Sequence, residues 1–451
     1  MTRVANALMI GGEGTLAEYL TEEGFNITAC RDSFHMLEEA CRGLPDLALI
    51  DLSSNDFNAL SIAEDLIRLD EATGMAVTLF NAQIDASAQA ATLDRATIIG
   101  VDEIFSDTID PDEMMTRLKA LLRLVTMRRE LAGRRELALS FGADASLGLA
   151  KKNGVPFMML EVGKDAGEIG SIRTAFDEGC NFTTTPDMAT AETILSGRNF
   201  FDACLLLLDG RSSSGGISDP IQIFDLCNRI RLNSRLFNLP VVVLSPPGLI
   251  PDPVDAIREG ATRLLERPCE PSLLHSVMAT LARRQQERWR IRLALDDIRC
   301  PEVTDSRTGT FTFDFMRQRL NSLVEAARER EKHLTLVFFS FPDAHTIAEK
   351  FGEAAGNHLI RQLAQWISAM VRVEDMVAHY TGYDFCIALP DTPPNEALFV
   401  MNRIAGVLAY TDFALVEVYQ PISISVEFGI TGIEPGDSIE TLIARARANL
   451  D

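Results

Sequence analysis

Residues Gly100-Val-Asp-Glu-Ile-Phe-Ser-Asp-Thr-Ile-Asp-Pro-Asp112 align without a gap on Gly260-Ala-Thr-Arg-Leu-Leu-Glu-Arg-Pro-Cys-Glu-Pro-Ser272. Each stretch reads as a short apolar strand, a loop, and an acidic residue with proline opening a helix. Pro111 and Pro271 suit the first helical turn, where no N–H is required, and Asp110 and Glu270 suit its positive end. Upstream, Pro45-Asp-Leu-Ala-Leu-Ile-Asp51 resembles Phe201-Asp-Ala-Cys-Leu-Leu-Leu-Leu-Asp209. Both are unbroken apolar runs closed by aspartate, the pattern of a parallel strand buried on both faces. Strand patterns at 76–80 and 240–244 alternate with helical ones, which predicts βα units and a doubly wound sheet. The repeat therefore predicts two tandem α/β domains over 1–125 and 153–283, joined by a linker helix over 126–152.

Composition limits what such a chain can do. Of 451 residues, 42 are Lys or Arg and 65 are Asp or Glu, a formal charge of −23. A surface this acidic repels nucleic-acid backbones and anionic lipid, but a local arginine cluster can still hold a small anion. Hydrophobic residues at 47% and charged residues at 24% are globular values and exclude a fibrous or disordered chain. The first apolar stretch is too short for a secretory signal, and the densest apolar runs, 204–208 and 334–341, are strand-sized, so no membrane insertion is expected. The eight cysteines include no CxxC pair and form no Cys/His cluster, which predicts reduced thiols in a cytoplasmic protein and no metal site.

From Glu270 to about residue 298 the only proline is Pro271 and there is no glycine, so one long helix is expected, with a connector over 284–302. Its Arg283, Arg284, Arg288, Arg290 and Arg292 read as a solvated face pairing with Glu287 and its neighbours rather than as a nucleic-acid stripe. Residues 303–451 form a third unit. It has a buried strand at 334–341, a helix at 354–371, and two strands, 377–380 and 385–389, flanking Thr381-Gly382-Tyr383-Asp384. A further strand at 422–430 and a last helix at 439–449 complete it.

The two tandem domains resemble the (βα)5, flavodoxin-like receiver domain of response regulators. In that family an aspartate ending strand 3 accepts a phosphoryl group, with Mg²⁺ held by an acidic pair after strand 1. Asp51 is the possible phosphoacceptor of the first domain. However, the acidic-pair position reads Gly11-Gly12, the hydroxyl position Asn81, and the lysine position Asp107. The second domain offers Asp209, Glu161, Ser245 and Arg267, in a register open by two residues. The reading favours receivers kept as dimerisation or docking platforms.

In the third unit, Arg372-Val-Glu-Asp375, five residues, and then Thr381-Gly382-Tyr383-Asp384-Phe385 resemble the RxxD inhibitory site and signature hairpin of the GGDEF domain of diguanylate cyclases. Asp305-Ser-Arg-Thr308-Gly309 resembles the family's opening segment. This implies a nucleotide-cyclase-like α+β domain. Cyclisation of GTP needs metals held by carboxylates. Those anchors fall at Ser340 and Tyr383, and the guanine-reading positions at Ala348 and Ala354. The family's phosphate-binding C-terminal segment would begin near Asp451. The signature is therefore degenerate, and no catalytic residue and no metal are expected.

The inhibitory site reads differently. Arg372 can bind a guanine edge or a phosphate through its planar fork, Asp375 can accept from a guanine edge, and Arg403 supplies the family's further arginine. A plain surface ion pair between Arg372 and Asp375 is the competing reading. The resemblance implies a non-catalytic cyclic di-GMP effector whose receivers dock signalling or adaptor proteins, with a homodimer expected; a weak diguanylate cyclase and a nucleotide-independent scaffold are the alternative readings. Its degenerate architecture further resembles cell-cycle members that are recruited to a cell pole and help deliver a response regulator to the ClpXP protease.

Overall fold

The apolar runs that end in aspartate or leucine form central strands. The structure is a computed structural model and describes residues 3–11, 14–30, 42–43, 45–54, 56–82, 88–148, 157–163, 173–174, 176, 179–197, 200–208, 219–233, 235–250, 252–416 and 418–450. The first domain has strands β1 (Ala5–Ile10), β2 (Phe25–Cys30), β3 (Leu47–Asp51), β4 (Ala76–Ala82) and β5 (Glu103–Ser106) in the order β2-β1-β3-β4-β5, all parallel. Described helices are α1 (Thr15–Glu22), α2 (Ala59–Thr73), α3 (Ala88–Ile99) and α4 (Pro111–Ser140). The second domain repeats the order: β7 (Cys180–Thr185), β6 (Phe157–Val162), β8 (Ala203–Leu207), β9 (Val241–Ser245) and β10 (Arg263–Glu266). Its helices are α5 (Met188–Ser196), α6 (Pro220–Leu232), α7 (Pro253–Arg258) and α8 (Pro271–Asp297). Every residue of β3 and β8 is buried, as two-sided helix cover requires. Asp110 caps α4 by accepting from the N–H groups of Asp112 and Glu113, whereas Glu270 makes no side-chain cap.

The expected linker helix over 126–152 is not a separate element. It is the second half of α4, which runs unbroken from Pro111 to Ser140 before the chain turns. Its apolar stripe never lapses, because Leu124, Met127 and Ala138 continue into a core shared with the third domain. Helix α8 contributes Ile291 and Leu295 to that core, opposite Phe315, Leu320 and Val324 of α9 (Phe313–Glu329). At its centre the buried Glu130 of α4 accepts from Arg134 at 2.9 Å and from Arg319 of α9 at 2.7 Å.

The third domain is a mixed sheet ordered β11-β13-β14-β12-β15, from β11 (Phe311–Thr312), β13 (Met376–Thr381), β14 (Asp384–Pro390), β12 (Leu334–Ser340) and β15 (Glu427–Gly432). Strand β12 is antiparallel to both β14 and β15. Helices α10 (Pro342–Phe351), α11 (Glu353–Met370), α12 (Pro394–Ala409) and α13 (Ile439–Ala448) complete it. The strand expected from 422 begins only at Glu427. Ile422 bridges Phe413, and the Ser425 N–H turns to Asp343 Oδ2 at 2.8 Å, so this segment is not on the sheet. No described helix is long and apolar enough to cross a membrane.

Arg283 and Arg284 of α8 depart from the reading of a solvated face, whereas Arg292 is exposed. Arg284 is buried and donates to Glu103 Oε2 of β5 at 2.9 Å. Arg283 donates to the backbone carbonyls of Thr97, at 3.0 Å, and Val101. Arg263 of β10 pairs with the same Glu103, and Arg117 of α4 lies 4.0 Å from it. The strand registers make Glu103 and Arg263 equivalent positions of the two domains: Ile104 sits opposite Leu79 as Leu264 sits opposite Val243. The repeat thus meets itself through its own last strands and helices, with opposite charges at the matched site. Arg128 and Glu287 add a pair between α4 and α8 at 2.7 Å.

Burial alone would raise the pKa of Glu103, but Arg263, Arg117 and Arg284 pull it down to about 2. Its contribution to stability is therefore present above the ordinary glutamate pKa and is lost as pH falls from about 4.5 towards 2. Glu103→Gln leaves buried guanidinium groups unpaired and should destabilise the chain by about 3–5 kcal/mol at neutral pH. Urea unfolding of the two proteins at pH 7 and at pH 3 measures this, and the gap should narrow at the lower pH.

Candidate functional site

At the C-terminal edge of the first sheet, Asp51 is 6% exposed. Its Oδ1 accepts from the Ser53 N–H at 2.8 Å, the Ser53 hydroxyl at 2.7 Å and the Asn81 amide at 3.0 Å. These donors are neutral. Gly11, at the acidic-pair position, has a φ of 76°, and a side chain there would press on Asp51 and the Phe57 ring. Asp107 follows β5 where a cation would meet a phosphoryl oxygen. Gly12 lies outside the described residues. Among the described residues no cluster of His, Cys, Asp and Glu is arranged to hold a metal.

The registers also settle the second domain. Ile10 pairs with Ile50 in the first sheet, and Val162 pairs with Leu206 in the second. One residue on, Gly11 faces Asp51 and Gly163 faces Leu207. The position equivalent to Asp51 is therefore Leu207, not Asp209, which lies outside the described residues. The aspartate misled because the apolar run of the second domain is two residues longer. Ser245 does occupy the position of Asn81. Glu161 is fully buried beside Arg173 and Thr184, at 3.3 and 3.0 Å, and burial raises its pKa.

In the third domain the hairpin turns at Gly382, with a φ of 56°. Tyr383 does not point outward. It is 6% exposed and joins the core formed by Val337, Phe339, Ile347, Leu359 and Phe385. Its ring meets His345 edge-on at 4.9 Å. A methyl on Gly356 of α11 would collide with its hydroxyl and with Ala348. Tyr383 thus fills the groove between α10, α11 and the hairpin, and burial raises its pKa. Asp384 accepts from the Ser340 hydroxyl at 2.8 Å, tying the remaining signature carboxylate to the position expected to hold metal. Ala354 is exposed on the outer side of α11, so it does not line the groove. The polar residue beside Gly356 is Asn357, which accepts from Arg307 at 3.0 Å. Sequence reasoning missed Asn357, although a glycine inside an otherwise strong helical pattern marked that turn as a close contact.

Arg372, Asp375 and Arg403 come to one corner, where α11 ends and α12 passes. Arg372 and Arg403 are exposed, and Arg403 donates to the Met370 carbonyl at 3.1 Å. Asp375 is turned inward. It is 5% exposed; Oδ2 accepts the Arg372 N–H at 2.8 Å, and Oδ1 is buried without a hydrogen-bond partner. Among the described residues no ion pair joins Asp375 to Arg372, so neither an open guanine acceptor nor a surface ion pair describes it. The cause is α4: Arg123 binds the neighbouring Glu374 at 2.6 Å, and Arg134 donates to the carbonyls of Val373, at 3.2 Å, and Glu374. Burial, reinforced by the charge of Glu374, pushes Asp375 up to about 7.

Residues 302–451 match the family model for the diguanylate cyclase GGDEF domain. Across 433 residues, 95% of this chain and 91% of the relative, the chain is 23% identical to the response regulator PleD of Caulobacter vibrioides. Over 173 residues, 38% of this chain and 26% of the relative, it is 24% identical to the diguanylate cyclase DgcP of Pseudomonas aeruginosa. A solved GGDEF domain of DgcB from Caulobacter crescentus, in complex with c-di-GMP, aligns at 19% identity and a TM-score of 0.32, over 32% of this chain and 86% of that one. The architecture is PleD-like: receiver, receiver, GGDEF.

Acetyl phosphate or beryllofluoride with Mg²⁺ should leave Asp51 essentially unmodified, because neutral donors occupy its carboxylate and Asp107 repels phosphate. Intact mass or ¹⁹F spectra, compared with Asp51→Asn, check this. Asp375→Asn retains the acceptor for the Arg372 N–H and removes the buried charge. Because the folded pKa is raised, ionisation of Asp375 weakens the fold as pH rises from about 4 through 7. The variant should lose that component and gain stability relative to wild type at pH 8, as read by thermal melts across pH 5–8.

Proposed function

We propose that this PleD-like receiver–receiver–GGDEF chain is a cyclic di-GMP effector without cyclase activity. The observation that carries the reading is the buried ring of Tyr383. It occupies the groove in which the resemblance places GTP, and it stands where the family uses a metal-binding carboxylate. Phosphoryl chemistry on a triphosphate requires cations to neutralise charge, and a hydroxyl at Ser340 is a poor anchor for Mg²⁺. The one signature carboxylate, Asp384, is engaged by that hydroxyl.

The other end of the domain supports binding. Arg372 and Arg403 are exposed beside one another in a chain of net charge −23, and among the described residues neither has a carboxylate within ion-pair distance. Two unpaired planar cations at one corner suit a cyclic dinucleotide, which presents phosphodiesters and guanine edges. Asp375 is a positioning residue here: it holds the N–H of Arg372 and so orients the turn. The receivers serve as docking platforms for other signalling or adaptor proteins. Their α4–β5 and α8–β10 faces are occupied by each other, so a partner engages the remaining faces.

Purified protein with GTP and Mg²⁺ or Mn²⁺ should form no cyclic di-GMP above a control without enzyme; turnover would overturn the loss of catalysis. Calorimetric titration with cyclic di-GMP should show binding, weakened about ten- to a hundredfold in Arg372→Ala and in Arg403→Ala. Tyr383→Phe and Ser340→Ala should bind as wild type does. Binding unchanged in both arginine variants would remove this site, and no binding by wild type would leave a nucleotide-independent scaffold.

A further inference from the structure

Helix α12 is two-faced in an unusual way. Ala397, Met401, Ile404 and Leu408 point into the core. On the opposite side, Phe399, Arg403, Gly406 and Tyr410 recur at spacings of four, three and four residues, which places them in one narrow stripe about 16 Å long. Phe399 is 77% exposed and Tyr410 is 94% exposed. Gly406, between Arg403 and Tyr410, leaves open space where a side chain would stand. Exposed aromatic rings on either side of a cation have no role in the core, and they lie along the helix that supplies an arginine to the corner described above.

We propose that this outer face of α12 is part of the cyclic di-GMP site, with Phe399 stacking on a guanine while Arg403 and Arg372 hold the phosphodiester. The inference rests on the cyclic di-GMP reading and supplies what that corner lacks. Asp375 is buried and cannot present an acceptor to a base edge, so the base needs another partner, and an aromatic face provides one that is independent of hydrogen bonding. The charge pattern selects this occupant over an apolar protein partner: the stripe pairs its rings with an unpaired guanidinium, as stacked, anionic ligands require. Phe399 lies one turn, about 6 Å, from Arg403, a separation that matches a base and its neighbouring phosphate. Residues at both ends of the stripe are solvent-facing, so their substitution leaves the core intact.

The test is calorimetric titration of the full-length chain with cyclic di-GMP. Phe399→Ala should weaken binding about tenfold, and Phe399→Trp should restore it. The indole introduced by Phe399→Trp should also be quenched as ligand is added. Wild-type affinity in Phe399→Ala, with Arg403→Ala still weakened, would overturn the stacking role and leave the cyclic di-GMP reading standing. No binding by wild type would overturn both. A change in self-association of Phe399→Ala, measured by light scattering, with ligand affinity unchanged, would reassign the stripe to contact between copies of the chain and also overturn the proposal.

Discussion

One buried carboxylate organises the molecule. Glu103 gathers Arg263 from the second domain, Arg284 from α8 and Arg117 from α4. The buried guanidinium groups of Arg263 and Arg284 could not share a dry interface without it. Because Glu103 and Arg263 occupy matched positions of the repeat, the two receivers join through corresponding surfaces. That junction sets α4 and α8 side by side. Their far halves then share a core with α9, and Glu130 repeats the device with Arg134 and Arg319. The position of the GGDEF domain, including the corner that holds Arg372, follows from this chain of contacts.

The hairpin of the third domain is held by its own packing. The turn keeps Gly382 in a left-handed conformation, and the strands on either side keep their register, with a bulge between His379 and Thr381. A groove left open between α10, α11 and the hairpin would be a cavity, and cavities cost stability in proportion to their volume. Tyr383 removes that cost by filling the space, with Gly356 making room for its hydroxyl. The residue at the third position of the hairpin signature thus supports the fold.

Much of this was legible in the sequence. The gapless repeat gave the two tandem α/β domains, and the prolines at 111 and 271 marked the helix starts. The spacing of Arg372-Val-Glu-Asp375 to the hairpin gave the third domain. What the sequence left hidden depended on contacts between distant segments. Arg283 and Arg284 of α8 read as solvent-facing because their partners, Glu103 and the carbonyls of Thr97 and Val101, lie some 180 residues away. Asp209 drew attention through its type, while only strand pairing shows that Leu207 holds the equivalent place. Asp375 read as a surface ligand because nothing in its own segment announces Arg123 and Arg134 on α4.

The pairing of the two receivers has a consequence for how the protein responds to its own abundance. Receivers that associate as separate molecules do so in proportion to their concentration. Here the two halves are tethered within one polypeptide, so their effective concentration is fixed by the connecting segment and far exceeds any cellular level. Dilution does not separate them. The junction at Glu103 therefore persists in a cell holding few copies, and the arrangement it imposes on the GGDEF domain is independent of expression.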